Sequence, residues 1–333
     1  MKSVRRLAVM AGALACSLAA APAGADDGAF GSAVGKARAG DMEGARVLFE
    51  QALADGDARA GNLLGEFHWF GKLGRRDPYK ACGYFETGAD AGNPAAMHNL
   101  GNCYLLGEGR RQDYERSRHW FEKAIALGMS PSYCALGNQY RRGLGVERDP
   151  VRAAALCQVG ADDGLADAQT DLAEMYIQGE GVTRDYDRAV ALLQEAVAKG
   201  QPNAMLYLGA MYRTGKGVDK DPTLAGKWWG KAVAAGNRRA PYHLGELFFI
   251  HAGRDLENGK AGRNVRAALF WLELAAEVDS NPAKRGEAQK MLALLAPNVP
   301  VAQAVQAEQD LENWRKTSAI YARWRNGNPR GAR

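Results

Sequence analysis

A glycine recurs every 36 residues through more than half of this chain, and that spacing restricts the possible folds more than any other feature. The step holds without slippage at Gly56, Gly92, Gly128, Gly164, Gly200 and Gly236. Three more positions of the repeat recur with the same step, and we call each set of equivalent positions a column. Two columns contain glycine: the first consists of Gly65, Gly101, Gly137, Gly209 and Gly245, and the second of Gly71, Gly107, Gly143, Gly179 and Gly215. The third contains aspartate, at Asp41, Asp77, Asp113, Asp149, Asp185 and Asp221. A fixed period of about 20 to 50 residues predicts an array of stacked structural repeats in place of one globular core.

Within one unit, residues 201–236, apolar side chains recur with helical spacing in two segments. The first segment carries Ala204, Leu208, Met211 and Tyr212, and the second carries Ala225, Trp228, Trp229, Ala232 and Val233. Gly215 and Gly217 lie between the segments, where glycine accepts the positive φ that often follows a helix. Asp221 and Pro222 then suit the N-cap and the first residue of a second helix. Each unit is therefore predicted to be a helical hairpin that buries its faces against neighbouring hairpins.

The repeated pattern, A-x3-LG-x2-Y-x2-G-x-G-V-x3-D-x3-A-x2-W-W-x2-A, resembles the Sel1-like repeat family, a relative of the tetratricopeptide repeat. The resemblance covers residues 57–236 in five full units, and at least one degenerate unit follows. It implies an all-α fold, a right-handed superhelical α/α solenoid of 36-residue helical hairpins with capping helices. It also implies a non-catalytic scaffold for protein–protein interactions.

The chain is predicted to have four segments. Residues 1–25 are a signal peptide, 26–56 an N-terminal capping hairpin, 57–281 the Sel1-like repeat array of about six units, and 282–333 the C-terminal capping helices. In the sixth unit, residues 251–264 are expected to form an enlarged loop, either a tolerated surface insertion or a binding device. Residues 282–296 are predicted to be one helix and residues 301–325 another.

The leader predicts export. It has a basic start, an apolar run at residues 7–21 and small residues before Asp26, as secretory signal peptides do. The run is too short and too rich in alanine for a membrane span, so we expect no integral membrane protein and a periplasmic or secreted location. An alternative is an outer-membrane lipoprotein acylated at Cys16, although Ala13 stands where such a signal normally has leucine.

Charge gives no reason to expect a nucleic-acid partner. The formal net charge of +5 includes Lys2, Arg5 and Arg6 of the leader. Without them, 40 basic residues face 38 acidic residues, so the mature chain is close to neutral. Proteins that bind the nucleic-acid backbone present a concentrated basic surface, and the basic pairs of this sequence are scattered over loops and helix ends.

Four cysteines remain after the leader, and an even number in an exported protein invites disulfides. In the predicted hairpin, Cys134 and Cys157 lie level on antiparallel helices, and Cys82 lies level with Cys103 across the junction of two units. We therefore predict the pairs Cys134–Cys157 and Cys82–Cys103. The alternative is that all four are buried free thiols.

The sequence shows no recognisable catalytic or metal-binding motif. The five histidines, which lack the spacing of zinc or metalloprotease sites, are His68, His98, His119, His243 and His251. The Gly-x-Gly pairs follow predicted helices and are interpreted as turns, since phosphate-binding loops follow strands. We accordingly predict no enzyme, no metal and no cofactor.

The best candidate site is the face of the first helices that lies opposite their apolar stripe. Its members are Asn62, Glu66, Asn99, Asn102, Asn138, Asp171, Glu174, Tyr207, His243 and Glu246. First helices of such arrays line a concave groove, where these side chains can hydrogen-bond an extended peptide. The expected partner is another envelope or secreted protein. Simple solvation is the alternative for each residue, and the alternative functions are binding of cell-wall glycan or muropeptide and, third, hydrolysis.

Overall fold

The computed structural model describes residues 28–258 and 262–326, and its regular structure is entirely helical. Seventeen α-helices and one short 3₁₀ turn, without any β-strand, occupy these residues. The predicted all-α fold of tandem helical hairpins is therefore confirmed. The predicted signal peptide, including Cys16, lies outside the described residues.

The helices follow the predicted hairpins closely. The capping hairpin consists of α1 (Gly28–Arg38) and α2 (Met42–Ala54). The first helices of the five regular units are α3 (Ala58–Phe70), α5 (Pro94–Leu106), α7 (Pro131–Arg142), α9 (Ala166–Gln178) and α11 (Pro202–Thr214). Their second helices are α4 (Pro78–Asp90), α6 (Tyr114–Ala126), α8 (Pro150–Asp162), α10 (Tyr186–Ala198) and α12 (Pro222–Ala234). The chain continues with α13 (Ala240–Glu257), α14 (Arg263–Val278), α15 (Pro282–Leu295), the 3₁₀ turn Ala296–Asn298, α16 (Val301–Thr317) and α17 (Ala319–Asn326).

Two compact units contain these helices. The N-terminal unit comprises residues 28–175 and 179–183, and the C-terminal unit comprises residues 176–178 and 184–326. The core of the N-terminal unit includes Phe49 and Phe85, each fully buried between helices. The core of the C-terminal unit includes Trp229 and Leu272. The apolar stripes of the sequence supply these cores.

The repeated aspartates and glycines set the ends of the helices, as predicted. At the start of each second helix, an aspartate accepts a hydrogen bond from the backbone N–H three residues on, at Asp77, Asp113, Asp149, Asp185 and Asp221. A cap of this kind stabilises a helix by about 1 kcal/mol. The first helices end at left-handed glycines, namely Gly71, Gly107, Gly143, Gly179 and Gly215.

The second glycine of the Gly-x-Gly turns has a role that the sequence did not reveal. A Cβ atom on Gly109 would lie 2.0 Å from the carbonyl oxygen of Pro78, at the start of the preceding second helix. On Gly145 it would lie 2.6 Å from the Cβ atom of Tyr114. Real Cβ atoms do not approach so closely, so the missing side chain lets each turn pack directly onto the preceding repeat.

Both predicted disulfides are present, and both belong to the N-terminal unit. Cys82–Cys103 joins α4 to α5 and so links two successive repeats, with 6.2 Å between the Cα atoms. Cys134–Cys157 joins α7 to α8 within one hairpin, with 4.2 Å between the Cα atoms. The first bond therefore constrains the junction between two repeats, and the second constrains the two helices of a single repeat.

The prediction of an enlarged loop at residues 251–264 is wrong. Helix α13 continues through residue 251 and ends at Glu257, and α14 begins at Arg263. One position of the repeat accounts for this difference. His251 occupies the position at which the regular units have the glycine that ends the first helix. Without that left-handed residue the helix continues for almost two more turns.

The single helix expected at residues 301–325 is interrupted. Ser318 has extended backbone angles, and its hydroxyl accepts a hydrogen bond from the N–H of Tyr321, 3.2 Å away. Serine is a good N-cap, so a second helix, α17, begins after it. The helix predicted at residues 282–296 is present as α15.

Candidate functional site

Five of the ten predicted site residues are buried, and all five lie on first helices. In the N-terminal unit, the buried members are Asn62, Glu66, Asn99, Asn102 and Glu174. Asn138 and Asp171 are half-buried. These side chains are held by hydrogen bonds to residues on the same or the adjacent first helix.

Between α3 and α5, amide groups form a buried chain. Asn99 Nδ2 donates to Asn62 Oδ1 at 2.8 Å, and Asn62 Nδ2 donates to Glu66 Oε1 at 2.9 Å. The hydrogen bond between Asn62 and Asn99 crosses from one repeat to the next. These hydrogen bonds offset part of the cost of burying the two amide groups.

Between α5 and α7, the contact is made by a histidine that the sequence analysis did not include in the site. His98 Nδ1 lies 2.9 Å from Ser132 Oγ, and His98 Nε2 lies 3.0 Å from Asn102 Nδ2. Burial lowers the pKa of His98 to about 4, so the ring is neutral at neutral pH. With the amide nitrogen of Asn102 next to Nε2, the matching neutral tautomer is the one that carries its proton on Nδ1, next to the serine hydroxyl. The signal in the sequence that could have identified His98 is its spacing, since it lies four residues before the predicted site residue Asn102 on the same helix.

Between α7 and α9, the contacts include a buried ion pair. Asn138 Nδ2 donates to Asp171 Oδ2 at 2.7 Å. Arg141 Nη1 donates to Glu174 Oε2 at 3.1 Å, and both side chains are buried. The nearby carboxylates of Glu174 and Asp171 raise the pKa of Arg141 against the opposing effect of its burial. Arg141 was missed because it falls in a column that holds Trp69 and Leu105 in the preceding units.

In the C-terminal unit, the remaining three predicted residues lie on α11 and α13. Arg213 donates to Glu246 across one repeat. His243 stacks on Trp229 with 5.2 Å between the ring centroids, and burial is the main cause that lowers its pKa to about 4. Tyr207 is half-buried on α11.

These cross-repeat contacts form what we call the polar ladder, which in the N-terminal unit consists of Asn62–Asn99, His98–Ser132, Asn138–Asp171 and Arg141–Glu174. Each contact joins side chains 33 to 37 residues apart, close to one repeat. Polar contacts of this kind penalise a shift in the register of neighbouring helices, because a shift leaves buried groups unpaired. Most residues of the predicted site thus make at least one hydrogen bond inside the protein.

One accessible part of this face lies on α7 and α9 of the N-terminal unit. We call it the partner face and define it by Asn138, Arg142, Asp167 and Asp171. Arg142 and Asp167 are exposed, and each is four residues from the half-buried member of its own helix. Residues at this spacing share one side of a helix, so the four side chains form one polar surface.

The Ser132–His98–Asn102 chain has the order of a nucleophile, a base and an orienting amide, but it is closed to substrates. Ser132 is 0% exposed and Asn102 is 1% exposed. The chain is a structural part of the polar ladder.

The described residues contain neither a candidate metal cluster nor a candidate membrane-spanning helix. Within 28–258 and 262–326, no group of three or more histidine, cysteine, aspartate or glutamate side chains is arranged to hold a metal ion. No helix in the same residues is both long enough and apolar enough to cross a membrane.

Comparison with known families decides the identity of the repeats. Six successive segments match the sequence profile of the Sel1 repeat, namely residues 58–93, 94–129, 130–165, 166–201, 202–237 and 242–280. The chain belongs to the Sel1 repeat family. The first five matches begin one residue after the predicted units, and the sixth covers the degenerate unit. Sel1 repeat proteins are generally non-catalytic scaffolds for protein interactions.

Solved structures of Sel1 repeat proteins are similar to this one. A Sel1 repeat protein from Oxalobacter formigenes is 27% identical, with a TM-score of 0.62 over 74% of this chain and 99% of that one. The protein c5321, a protective antigen present in uropathogenic Escherichia coli strains that displays an SLR fold, is 26% identical, with a TM-score of 0.54. That match covers 85% of this chain but 63% of the E. coli protein, so this chain spans less than two thirds of it. Comparison with curated sequences returned no match.

Proposed function

We propose that this Sel1 repeat protein is an exported, non-catalytic scaffold of the bacterial cell envelope. It holds a segment of another envelope or secreted protein on the partner face. The general role of the Sel1 repeat family supports the scaffold function. The proposed binding site on the partner face depends on the surface of α7 and α9.

The observation that carries the proposal is the fixed geometry of the partner face. Asn138 and Asp171 are already hydrogen-bonded to each other, and Arg141 and Glu174 hold the two helices in register beneath them. A partner therefore meets side chains that lose little freedom on binding, which favours affinity. Arg142 and Asp167 add exposed charges of opposite sign, and such charges select a complementary partner.

The disulfides support export. Cys82–Cys103 and Cys134–Cys157 are bonds of a kind that persists in oxidising compartments and is rare in the cytosol. The signal-like residues 1–25 are consistent with the same destination.

The test is a crosslinked affinity capture from envelope extract that compares charge-reversed variants. Arg142→Glu with Asp167→Lys alters the partner face without changing the net charge. Arg111→Glu with Glu147→Lys is the matched control, because both residues are exposed in turns outside that face. All four side chains are on the surface, so the variants are expected to fold.

We expect one protein to be captured equally by the parent and by the control variant Arg111→Glu with Glu147→Lys. The same protein should not be captured by the variant Arg142→Glu with Asp167→Lys. Equal capture by all three proteins contradicts the assignment of the face. Thermal unfolding of each variant by circular dichroism shows whether a loss of capture reflects a loss of fold.

A further inference from the structure

A second candidate site lies in an open polar cleft of the N-terminal unit, between α2 and α4. Its volume is about 680 Å³. Glu43, Arg46 and Glu50 of α2 line one side, and His68, Lys80 and Tyr84 line the other. The predicted partner residues do not contribute to it.

The cleft exists where one repeat departs from the pattern of the others. Leu73 occupies the column that holds the second turn glycine, Gly109 and Gly145, in the following repeats. At Gly109 even a Cβ atom would meet the preceding helix at 2.0 Å, so a leucine cannot make the same approach. The turn of the first repeat therefore cannot approach α2 as closely as Gly109 approaches α4, and Leu73 lines the cleft while it packs against the core next to α2.

Four of the polar side chains that line the cleft, Glu43, Arg46, Glu50 and Tyr84, are hydrogen-bonded to one another. Glu50 Oε1 accepts a hydrogen bond from the hydroxyl of Tyr84 at 3.0 Å, and Glu50 Oε2 accepts one from Arg46 Nη1 at 2.6 Å. Arg46 Nε donates to Glu43 at 2.8 Å. A ligand therefore meets oriented donors and acceptors, and few side chains have to be ordered on binding.

Charge in the cleft is balanced. The carboxylates of Glu43 and Glu50 offset Arg46 and Lys80. Burial, and then the charge of Lys80, lowers the pKa of His68, so its ring is neutral at neutral pH and offers one donor and one acceptor. A compact anion would meet two carboxylates, and a compact cation would meet the guanidinium and the ammonium group. The balance favours a ligand without net charge.

The cleft also has an aromatic wall. The rings of His68 and Tyr84 stack with 5.4 Å between their centroids and 10° between their planes, and both line the opening. Aromatic surface next to polar groups suits a ligand that has an apolar body and polar edges.

We infer that this cleft binds one unit of an uncharged saccharide. Each sugar hydroxyl both donates and accepts, which matches the interleaved carboxylate, guanidinium, phenol and imidazole groups. The carbon face of the sugar ring packs on Leu73 and the aromatic wall. A volume of about 680 Å³ lies within the range of small-molecule sites, and the open side leaves room for a longer chain. This site is separate from the partner face and does not depend on the proposed scaffold function.

The test titrates the mature protein with chitotriose, cellotriose and maltotriose, followed by calorimetry and saturation-transfer NMR. Inorganic phosphate and spermidine serve as charged comparators. We expect at least one trisaccharide to bind with a Kd of about 1 mM or lower. The variants Leu73→Gly and Tyr84→Phe should each weaken that binding at least about tenfold, the first by restoring the glycine of the other turns and the second by removing one hydroxyl.

Leu144→Gly is the matched control, because it replaces a leucine in the corresponding turn of the third repeat, and it should bind as the parent does. Absence of binding by all three saccharides overturns the inference. It is also overturned if phosphate or spermidine binds in their place, or if Leu73→Gly and Tyr84→Phe, shown by circular dichroism to be folded, bind as tightly as the parent.

Discussion

His98 is the residue through which the polar ladder depends most strongly on pH. Burial lowers its pKa to about 4, whereas an imidazole in the unfolded chain titrates near about 6.5. Between these values the unfolded chain binds a proton that the folded protein does not. The contribution of the neutral ring is therefore fully present above about pH 6.5 and is lost as the pH falls toward 4.

The first prediction follows from this difference. A shift of this size corresponds to roughly 3 kcal/mol in the free energy of unfolding between pH 7 and pH 4. His98→Gln keeps polar groups next to Ser132 and Asn102 but does not titrate, so its unfolding free energy should fall less over that range. Urea unfolding at pH 7, 5.5 and 4 measures the difference, and parallel pH profiles for the two proteins would contradict it.

Arg141 and Glu174 give a prediction about a pair of residues. Arg141→Met alone leaves Glu174 buried without its ion-pair partner and should cost about 3 kcal/mol or more of stability. Arg141→Met combined with Glu174→Leu removes both charges and should recover much of the loss. Chemical unfolding of the two single variants and the double variant measures the coupling, and additive losses would show that the pair does not act as a unit.

At the scale of helices, local chemistry predicted the helix ends and the Cys82–Cys103 link between two repeats, whereas the polar contacts between neighbouring first helices were missed. Asp77 and Gly71 mark helix ends by their own conformational preferences, so spacing alone was sufficient. The extension of α13 was readable from the loss of a glycine at His251. The hydrogen bond between His98 and Ser132 was not, because it depends on how closely two neighbouring first helices approach.

The same limit applies to the candidate site. The sequence placed Asn62, Asn99 and Asn102 opposite the apolar stripe of their helices, but whether a polar side chain there meets a partner or the next helix is decided by packing. The cleft beside Leu73 was also missed, although the loss of a glycine from its column was visible in the sequence.

The disulfide between α4 and α5 gives a prediction for a pair of helices. Cys82 and Cys103 are 21 residues apart, and closing a loop of this length stabilises a protein by about 3 kcal/mol in the chain-entropy account. Cys82→Ala with Cys103→Ala should lower the free energy of unfolding by that order, while leaving Cys134–Cys157 intact. Peptide mapping without reductant and urea unfolding check both parts. Four free thiols in the mature protein would contradict the pairing.

At the scale of the whole molecule, we expect the last helices to cap the C-terminal unit. Leu311 of α16 and Trp324 of α17 are buried, and Trp324 Nε1 donates to the carbonyl oxygen of Gly236 at 2.9 Å. Repeat arrays need such caps because the last repeat otherwise exposes its apolar face.

Removal of the cap should therefore destabilise the C-terminal unit in particular. A chain ending at residue 299 is expected to bind the dye ANS and to lose amide protection in residues 240–278. Protection in residues 58–126 should change little, since the repeats of an array depend mainly on their neighbours. Hydrogen exchange resolves the two regions. Equal amide protection of residues 240–278 in the shortened and the full chain would contradict a capping role.

The central claim, that α7 and α9 present the partner face, is tested most directly by photo-crosslinking in intact cells. A photoreactive phenylalanine analogue at position 142 lies on the partner face, and the same analogue at position 111 lies in an exposed turn. The account predicts a discrete protein adduct at position 142 that is absent at position 111. An adduct at 111 with none at 142 would contradict it.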